Sequence, residues 1–233
     1  MPEPTPAPSL TPTSSTRPYI RYGTAGFRMS APSLSAISPR IGHLAARFAS
    51  AHHPLAVGLM VTASHNPVGD NGVKLVGPSG GMAESEWEAV AEEVVNNGDP
   101  GVGNQNGSTA GMVIVGRDTR PSGPDILARL IFGIKESMPE TVIVDVGLLT
   151  TPQLHHLVMT VNRPNFSGTI ADAQTEYFRD MARAFDALMD QQLQMDLQLD
   201  CANGVGAMAA RTMSTHSTAF RPVLINAGCG VLN

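Results

Sequence analysis

The chain has 233 residues, 42% of them hydrophobic and 15% charged, with a formal net charge of −5 at pH 7. That is enough for one large or two ordinary domains, and the negative balance without a basic cluster argues against a nucleic-acid partner. No apolar run approaches the length of a membrane span. Cys201 and Cys229 lack metal-ligand spacing and suit a reducing compartment, so we expect a cytoplasmic protein.

The first segments combine a polar tail with a glycine turn. Residues 1–18 are rich in Pro, Ser and Thr, which predicts a disordered tail, with a transit peptide as the weaker alternative. Tyr19 to Arg28 reads as a short strand running into a turn that contains Gly23 and Gly26. Two glycines let the backbone approach an anion, and Arg28 could contact that anion or be an ordinary surface charge.

A helix and a buried strand are predicted next. Ser38 followed by Pro39 is typical of a helix start, and the apolar spacing from Ile41 to Phe48 predicts a face packed on a sheet. The continuous apolar run from Val57 to Val61 predicts a buried strand.

A polar loop follows this strand and places Ser64 just beyond its carboxyl end, where ligands bind in open α/β sheets. A second short strand, Val73 to Val76, carries Lys74, one of only two lysines in the chain. Strand, ten-residue loop and strand should fold back on each other and bring Lys74 towards Ser64. Ordinary turn chemistry around Ser64 and a solvated edge charge at Lys74 remain the alternative.

Strand–loop–helix repetition continues and predicts a largely parallel, doubly wound sheet. A helix is predicted over 84–96, a strand over 112–115 with Arg117, Asp118 and Arg120 at its carboxyl end, and a strand over 141–146 followed by a helix. The glycine-rich run 101–111 lacks nucleotide-loop spacing and is predicted to be a connector.

Residues 162–168 are the best candidate for a domain boundary. A long helix is predicted over 172–193, then strands over 197–200 and 220–226 with a helix between them.

Five segments of the chain match the motifs of one family, in that family's order. They are GTAGFR from Gly23, TASHNP from Thr62 followed by NGVK from Asn71, VGRDTRPSG from Val115, GLLTTPQLH from Gly147, and DCANG from Asp200. From about Tyr19 to Asn233 the chain resembles the α-D-phosphohexomutases. It is more similar to their phosphoacetylglucosamine mutase branch than to the phosphoglucomutase or phosphomannomutase branches.

The resemblance implies a fold and a reaction. Residues 19–165 would form phosphohexomutase domain 1, a mixed, mainly parallel sheet between helices, and residues 166–233 the beginning of a similar domain 2. The reaction would be an intramolecular phosphotransfer that interconverts N-acetylglucosamine 6-phosphate and 1-phosphate, on the way to UDP-N-acetylglucosamine. It would use Mg²⁺ and a sugar bisphosphate as activator and intermediate, with a phosphosugar as the partner.

The resemblance also implies roles for particular residues. Ser64 would carry the phosphoryl group and bind Mg²⁺ through it, Lys74 would be the general acid and base, Arg28 would assist, and His65 would orient the serine loop. Three further residues would support that loop: Asn66, Arg117 and Arg120.

The sequence also departs from the family. No Asp-x-Asp-x-Asp loop, which holds Mg²⁺ in phosphohexomutases, occurs in the 233 residues. We therefore expect residues 1–233 alone to have no meaningful turnover. A phosphoglucomutase or phosphopentomutase, a truncated non-catalytic binding module, and a fragment of a longer gene product remain alternatives.

Overall fold

The computed structural model describes residues 18–23, 26–98, 109–189 and 197–228. The predicted tail, except Pro18, and most of the predicted connector over 101–111 lie outside these ranges. Within them, the elements in chain order are β1 (Phe27–Ser30), α1 (Ala31–Ala51), β2 (Ala56–Val61), β3 (Asp70–Val76), α2 (Ser85–Asn97), β4 (Met112–Arg117), α3 (Gly123–Ser137), β5 (Val142–Leu148), α4 (Thr151–Val161), α5 (Ile170–Leu188), β6 (Gln198–Asp200), α6 (Gly206–His216) and β7 (Val223–Ile225).

Among the described residues, the strands form a five-stranded sheet in the order β1-β3-β2-β4-β5 and a smaller sheet in which β6 and β7 pair in parallel. In the larger sheet β3 is antiparallel to both of its neighbours, whereas β2, β4 and β5 pair in parallel. Four of the five strands therefore run in one direction, which confirms the predicted mixed, mainly parallel sheet.

Helices cover both faces of the larger sheet, as the predicted α/β fold requires. Alternate side chains of β2 separate into two cores: Val57, Leu59 and Val61 pack against α1, α2 and α3, while Ala56 and Met60 pack against α4. Every residue of β2 is buried, which explains its uninterrupted apolar sequence.

Helix α1 begins seven residues before Ser38, so the predicted start was wrong. Pro32 occupies the first helical turn, whereas Pro39 lies inside the helix. A proline inside a helix has no amide to donate to the carbonyl four residues earlier, here that of Ser35. The buried Ser38 hydroxyl donates to a different carbonyl, that of Leu34, at 2.8 Å. Packing on α3 supports this segment, because Gly133 of α3 lies so close that an added Cβ would be 2.0 Å from the Pro39 carbonyl oxygen.

The prediction of a strand before the glycine turn was also wrong. The strand follows the turn, and Arg28 lies within it, paired with Gly72 of β3. Before the turn, the Tyr22 hydroxyl accepts a hydrogen bond from the Leu75 amide at 2.9 Å. A side chain therefore takes the place of a strand partner for β3 at that point.

The carboxyl-terminal elements follow the prediction in type and order. Helix α5 packs on α4 through Ala173, and β6, α6 and β7 follow it. The division of the chain at residue 165 stays a prediction. No helix in the described ranges is long and apolar enough to cross a membrane.

Candidate active site

Ser64 lies in the loop of residues 62–69, which joins the antiparallel neighbours β2 and β3. The loop starts at the edge of the sheet where β2 and β4 end, because Val61 pairs with Arg117. It has eight residues rather than the predicted ten, since β3 begins at Asp70. Ser64 is exposed, and its Oγ lies 3.1 Å from Nδ1 of His65. The serine hydroxyl therefore has a hydrogen-bonding partner and is open to solvent.

The guanidinium of Arg120 fills the interior of this serine loop (residues 62–69). Nη1 donates to the carbonyls of Pro67 at 2.7 Å and Asp70 at 2.9 Å, and Nη2 donates to those of Asn66 at 2.8 Å and Ala63. These carbonyls span the turn from before Ser64 to the start of β3. One side chain from another strand end thus fixes the course of the loop.

Asp118 holds Arg120 in this orientation. Its Oδ2 lies 3.3 Å from Nε of Arg120, and its Oδ1 accepts the Arg120 backbone amide at 3.0 Å. The hydroxyl of Thr62 donates to Oδ2 at 2.6 Å. All three residues are buried, so the ion pair is shielded from water and each charge has hydrogen-bonding partners.

Arg28 and Lys74 share one face of the sheet. Phe27 and Val73 point into the core against α1, so their neighbours Arg28 and Lys74 point to the opposite face. Burial lowers the pKa of the Lys74 ammonium, and the charge of Arg28 lowers that pKa further. A lysine with a lowered pKa is more readily neutral near physiological pH and is then able to accept a proton.

Asn66 connects this cationic face to the serine loop. Its Oδ1 accepts from Nη1 of Arg28 at 3.3 Å, and its Nδ2 donates to Oδ2 of Asp70 at 2.9 Å. Arg117 lies instead at the end of β4, where its carbonyl accepts the Leu149 amide at 3.0 Å. Of the two arginines, Arg120 is the one that contacts the serine loop.

A cavity of about 200 Å³ adjoins Ser64. Arg120 and Asp118 line one side, and the turn from Cys201 to Gly206, which leads into α6, lines the other. Ala202 and Asn203 in this turn have positive φ angles of 49° and 54°. The DCANG segment had been recognised as a family motif, but nothing in the sequence placed it beside Ser64. Thr62 was also missed, because a threonine at a strand end carries no distinctive signal.

The described residues do not form a metal site by themselves. No group of three or more His, Cys, Asp or Glu side chains among them could hold a metal ion. Asp118 is bonded to Arg120 and Thr62, and Asp70 accepts from Asn66, so the carboxylates nearest in sequence to the serine loop are already engaged.

Comparison with known proteins identifies the family. The family model described as phosphoglucomutase/phosphomannomutase, alpha/beta/alpha domain I, matches residues 44–101 and 100–171. The chain belongs to the phosphoglucomutase/phosphomannomutase family. This confirms the resemblance to the α-D-phosphohexomutases.

Several relatives in this family are named phosphoacetylglucosamine mutase. The one from Candida albicans is 35% identical over 210 residues, which cover 80% of this chain and 38% of the relative. The human one is 37% identical over 210 residues, covering 83% of this chain and 38% of the relative. The chain thus spans well under half the length of these relatives.

Solved structures agree with the sequence relatives. The N-acetylphosphoglucosamine mutase of Aspergillus fumigatus, in complex with GlcNAc-6P and magnesium, superposes with a TM-score of 0.76 at 33% identity, covering 89% of this chain and 41% of that one. A serine-to-alanine form of the Aspergillus protein, in complex with glucose 1,6-bisphosphate, also gives a TM-score of 0.76. The phosphohexomutase fold extends over nearly all of the chain.

Proposed function

We propose that this chain supplies the phosphoserine and the acid–base residues of a phosphoacetylglucosamine mutase. One observation carries the proposal: an exposed serine stands on an internally held loop beside a sheet face that bears Arg28 and a lysine of lowered pKa. The names of the relatives support N-acetylglucosamine phosphate as the substrate. The reaction would interconvert the 6-phosphate and the 1-phosphate.

The first half of the proposed reaction transfers the phosphoryl group from phospho-Ser64 to the free hydroxyl of the sugar phosphate. A new bond forms between the sugar oxygen and phosphorus, and the bond from phosphorus to Oγ of Ser64 breaks. Neutral Lys74 accepts the proton of the attacking hydroxyl and passes it to the departing Oγ, which restores the Ser64 hydroxyl and leaves Lys74 neutral. The product is a sugar bisphosphate.

The second half returns the other phosphoryl group to Ser64 after the bisphosphate has reoriented. The hydroxyl of Ser64 now attacks phosphorus, and the bond from phosphorus to the sugar oxygen breaks. Lys74 accepts the proton of that hydroxyl and passes it to the departing sugar oxygen. The positive charge of Arg28 offsets negative charge on the phosphoryl oxygens. His65, with Nδ1 at 3.1 Å from Oγ, orients the serine hydroxyl. A free sugar bisphosphate would phosphorylate Ser64 in the same way and thus act as an activator.

Mg²⁺ is the proposed cofactor, since a structural relative was solved with magnesium. When bound to an oxygen of phospho-Ser64, it would neutralise charge on the phosphoryl group. The described residues do not provide the further carboxylates that such an ion takes, so we assign no step to it.

The test uses the full-length gene product that contains these residues. After incubation with glucose 1,6-bisphosphate, peptide mass spectrometry should find a phosphoryl group on Ser64, and a coupled assay should detect conversion of N-acetylglucosamine 6-phosphate. Ser64→Ala should abolish both. Ser85→Ala, at an exposed serine that begins α2, is the matched control and should change neither. Labelling of a different residue, or full turnover by Ser64→Ala, would refute the assignment.

A further inference from the structure

The guanidinium of Arg120 is buried and forms hydrogen bonds with groups of the protein. Its side chain is only 6% exposed. Its Nη atoms donate to four backbone carbonyls of the segment from Ala63 to Asp70, and its Nε faces Asp118. A buried charge is costly unless hydrogen bonds satisfy it, so the guanidinium and the loop stabilise each other only in this conformation.

The carbonyl directions determine where the loop amides point. A trans peptide unit is planar, and its N–H points opposite to its C=O. The Ala63 carbonyl turns inward to Arg120, so the amide of Ser64 turns away from the guanidinium and out of the loop. The Pro67 carbonyl also turns inward, which directs the Val68 amide outward.

An outward-facing amide suits an anion. The Ser64 amide belongs to the same residue as the hydroxyl that would carry the phosphoryl group. Backbone N–H groups aimed at a fixed position can stabilise developing negative charge without reorganising during the reaction.

We propose that Arg120 is the positioning residue for Ser64: it acts on phosphoryl transfer only through the serine loop, by fixing the hydroxyl and turning the Ser64 amide towards the phosphoryl oxygens. This inference rests on the proposed function. Asp118 and Thr62 contribute to this positioning, because they hold the guanidinium of Arg120 in place.

The test compares Arg120→Lys with Arg129→Lys in the full-length gene product. Lysine keeps the positive charge but offers one point of contact instead of a planar fork, and so cannot reach all four carbonyls. Arg129 is a half-exposed arginine of α3 that pairs with Asp125, and its substitution controls for the change of residue type. Thr62→Val removes one donor to Asp118 and leaves Arg120 in place. It therefore tests the positioning of the loop through Asp118 and Arg120 if Arg120→Lys fails to fold.

Two quantities are measured in each variant. Hydrogen exchange reports the protection of residues 62–70, and the coupled assay gives kcat, KM and the pH profile. In Arg120→Lys we expect faster exchange confined to the loop and a fall in kcat of about 10²-fold, the size of effect that a misplacement of about 1 Å produces. KM and the pH midpoints should be unchanged, because the sugar contacts and Lys74 are untouched. Thr62→Val should show smaller changes in the same direction, and Arg129→Lys none.

Three outcomes would overturn the proposal. Loss of rate with normal loop protection would mean that Arg120 acts directly on the substrate. Faster loop exchange with normal rate would mean that transfer does not depend on the loop conformation, and a rise in KM alone would assign Arg120 to substrate binding. If the wild-type protein takes no phosphoryl group from glucose 1,6-bisphosphate, the proposed function fails; the exchange measurement still shows whether Arg120 holds the loop.

Discussion

Arg28 and Lys74 are diagonal neighbours on adjacent antiparallel strands, since Arg28 pairs with Gly72, two residues before Lys74. Side chains in this relationship lie about 7–8 Å apart at their bases and can interact when they are long. This relationship explains why the charge of Arg28 contributes to the lowered pKa of Lys74.

We expect Arg28→Met to raise the pKa of Lys74 but not to restore its ordinary value, because burial is the larger cause. Any rate that needs neutral Lys74 should then rise at a higher pH than in the wild type. The measurement is a ¹³C NMR titration of the lysine side chains. The chain has two lysines, and Lys74→Arg assigns the signals. An unchanged or lower Lys74 midpoint would contradict the assignment of the shift to Arg28.

Asp186 should make the pairing of α5 with the segment before β7 dependent on pH. The Ser217 hydroxyl, then the Thr218 amide and hydroxyl and the Ala219 amide, lower the pKa of this carboxyl from 3.8 to about 2. Because the folded-state pKa is the lower one, the contribution to stability is complete above 3.8 and is lost as the pH falls towards 2. Asp186→Asn should therefore lower the thermal midpoint at neutral pH, and the difference from wild type should shrink in acid. Glu140→Gln, at an exposed carboxylate, is the control; a deficit for Asp186→Asn that persists below pH 2 would refute this account.

Gly26 should tolerate alanine less well than Gly98, although both have a φ of +87°. A left-handed φ of this kind costs a non-glycine residue about 1–3 kcal/mol at either position. At Gly26 an added Cβ would also lie 2.3 Å from the Val73 carbonyl oxygen, whereas nothing lies within 4 Å at Gly98. Gly26→Ala should therefore reduce the free energy of unfolding by about 1–3 kcal/mol more than Gly98→Ala. Urea unfolding of the two variants measures this difference. Equal losses in the free energy of unfolding would show that the close approach of Gly26 to β3 does not matter for stability.

Asn162 should be a structural residue even though it begins the predicted boundary segment. Its side chain accepts the Ala56 amide at 2.8 Å, and its Nδ2 donates to the carbonyls of Ala56 at 2.8 Å and Pro78 at 2.9 Å. Asn162→Ala leaves these partly buried groups without that partner, so we expect a loss of about 1–3 kcal/mol in the free energy of unfolding. Asn97→Ala, at the exposed end of α2, is the control for the change of side chain and should cost less. Equal effects in a denaturant titration would rule out the bridging role.

Sequence alone predicted the parts of the fold that local patterns determine. The side chains of β2 are all apolar and leave water only if the strand is buried. A serine just after this strand must then lie at the edge of the sheet where ligands bind. The start of α1 was misplaced because Ser38-Pro39 has the local chemistry of a helix start. The helix instead begins at Ala31 with Pro32 in its first turn, and Pro39 packs closely on Gly133 of α3, which is remote in sequence.

The sequence indicated candidate site residues, whose roles stay predictions, but it did not give their organisation. Ser64 and Lys74 were indicated by the strand–loop–strand segment and Arg28 by the glycine turn, and the family motifs then implied their roles. The structure brings Arg28 and Lys74 onto one face. The family resemblance implied that Arg120 supports the serine loop, but the residues alone did not show how, because an arginine after a strand has the same sequence signal whether it faces solvent or carbonyls. Its orientation depends on contacts about 50 residues apart in sequence.

Because β3 pairs antiparallel with β2, different features of the structure determine the positions of Lys74 and Ser64. Lys74 is placed by the register of β3 on β2, in which it pairs with Met60. Ser64 is placed by the carbonyls that converge on Arg120. Substitutions in the serine loop can therefore adjust the position and orientation of the hydroxyl while the ammonium remains at a fixed point of the sheet. The two groups of the proposed reaction can be tuned one at a time.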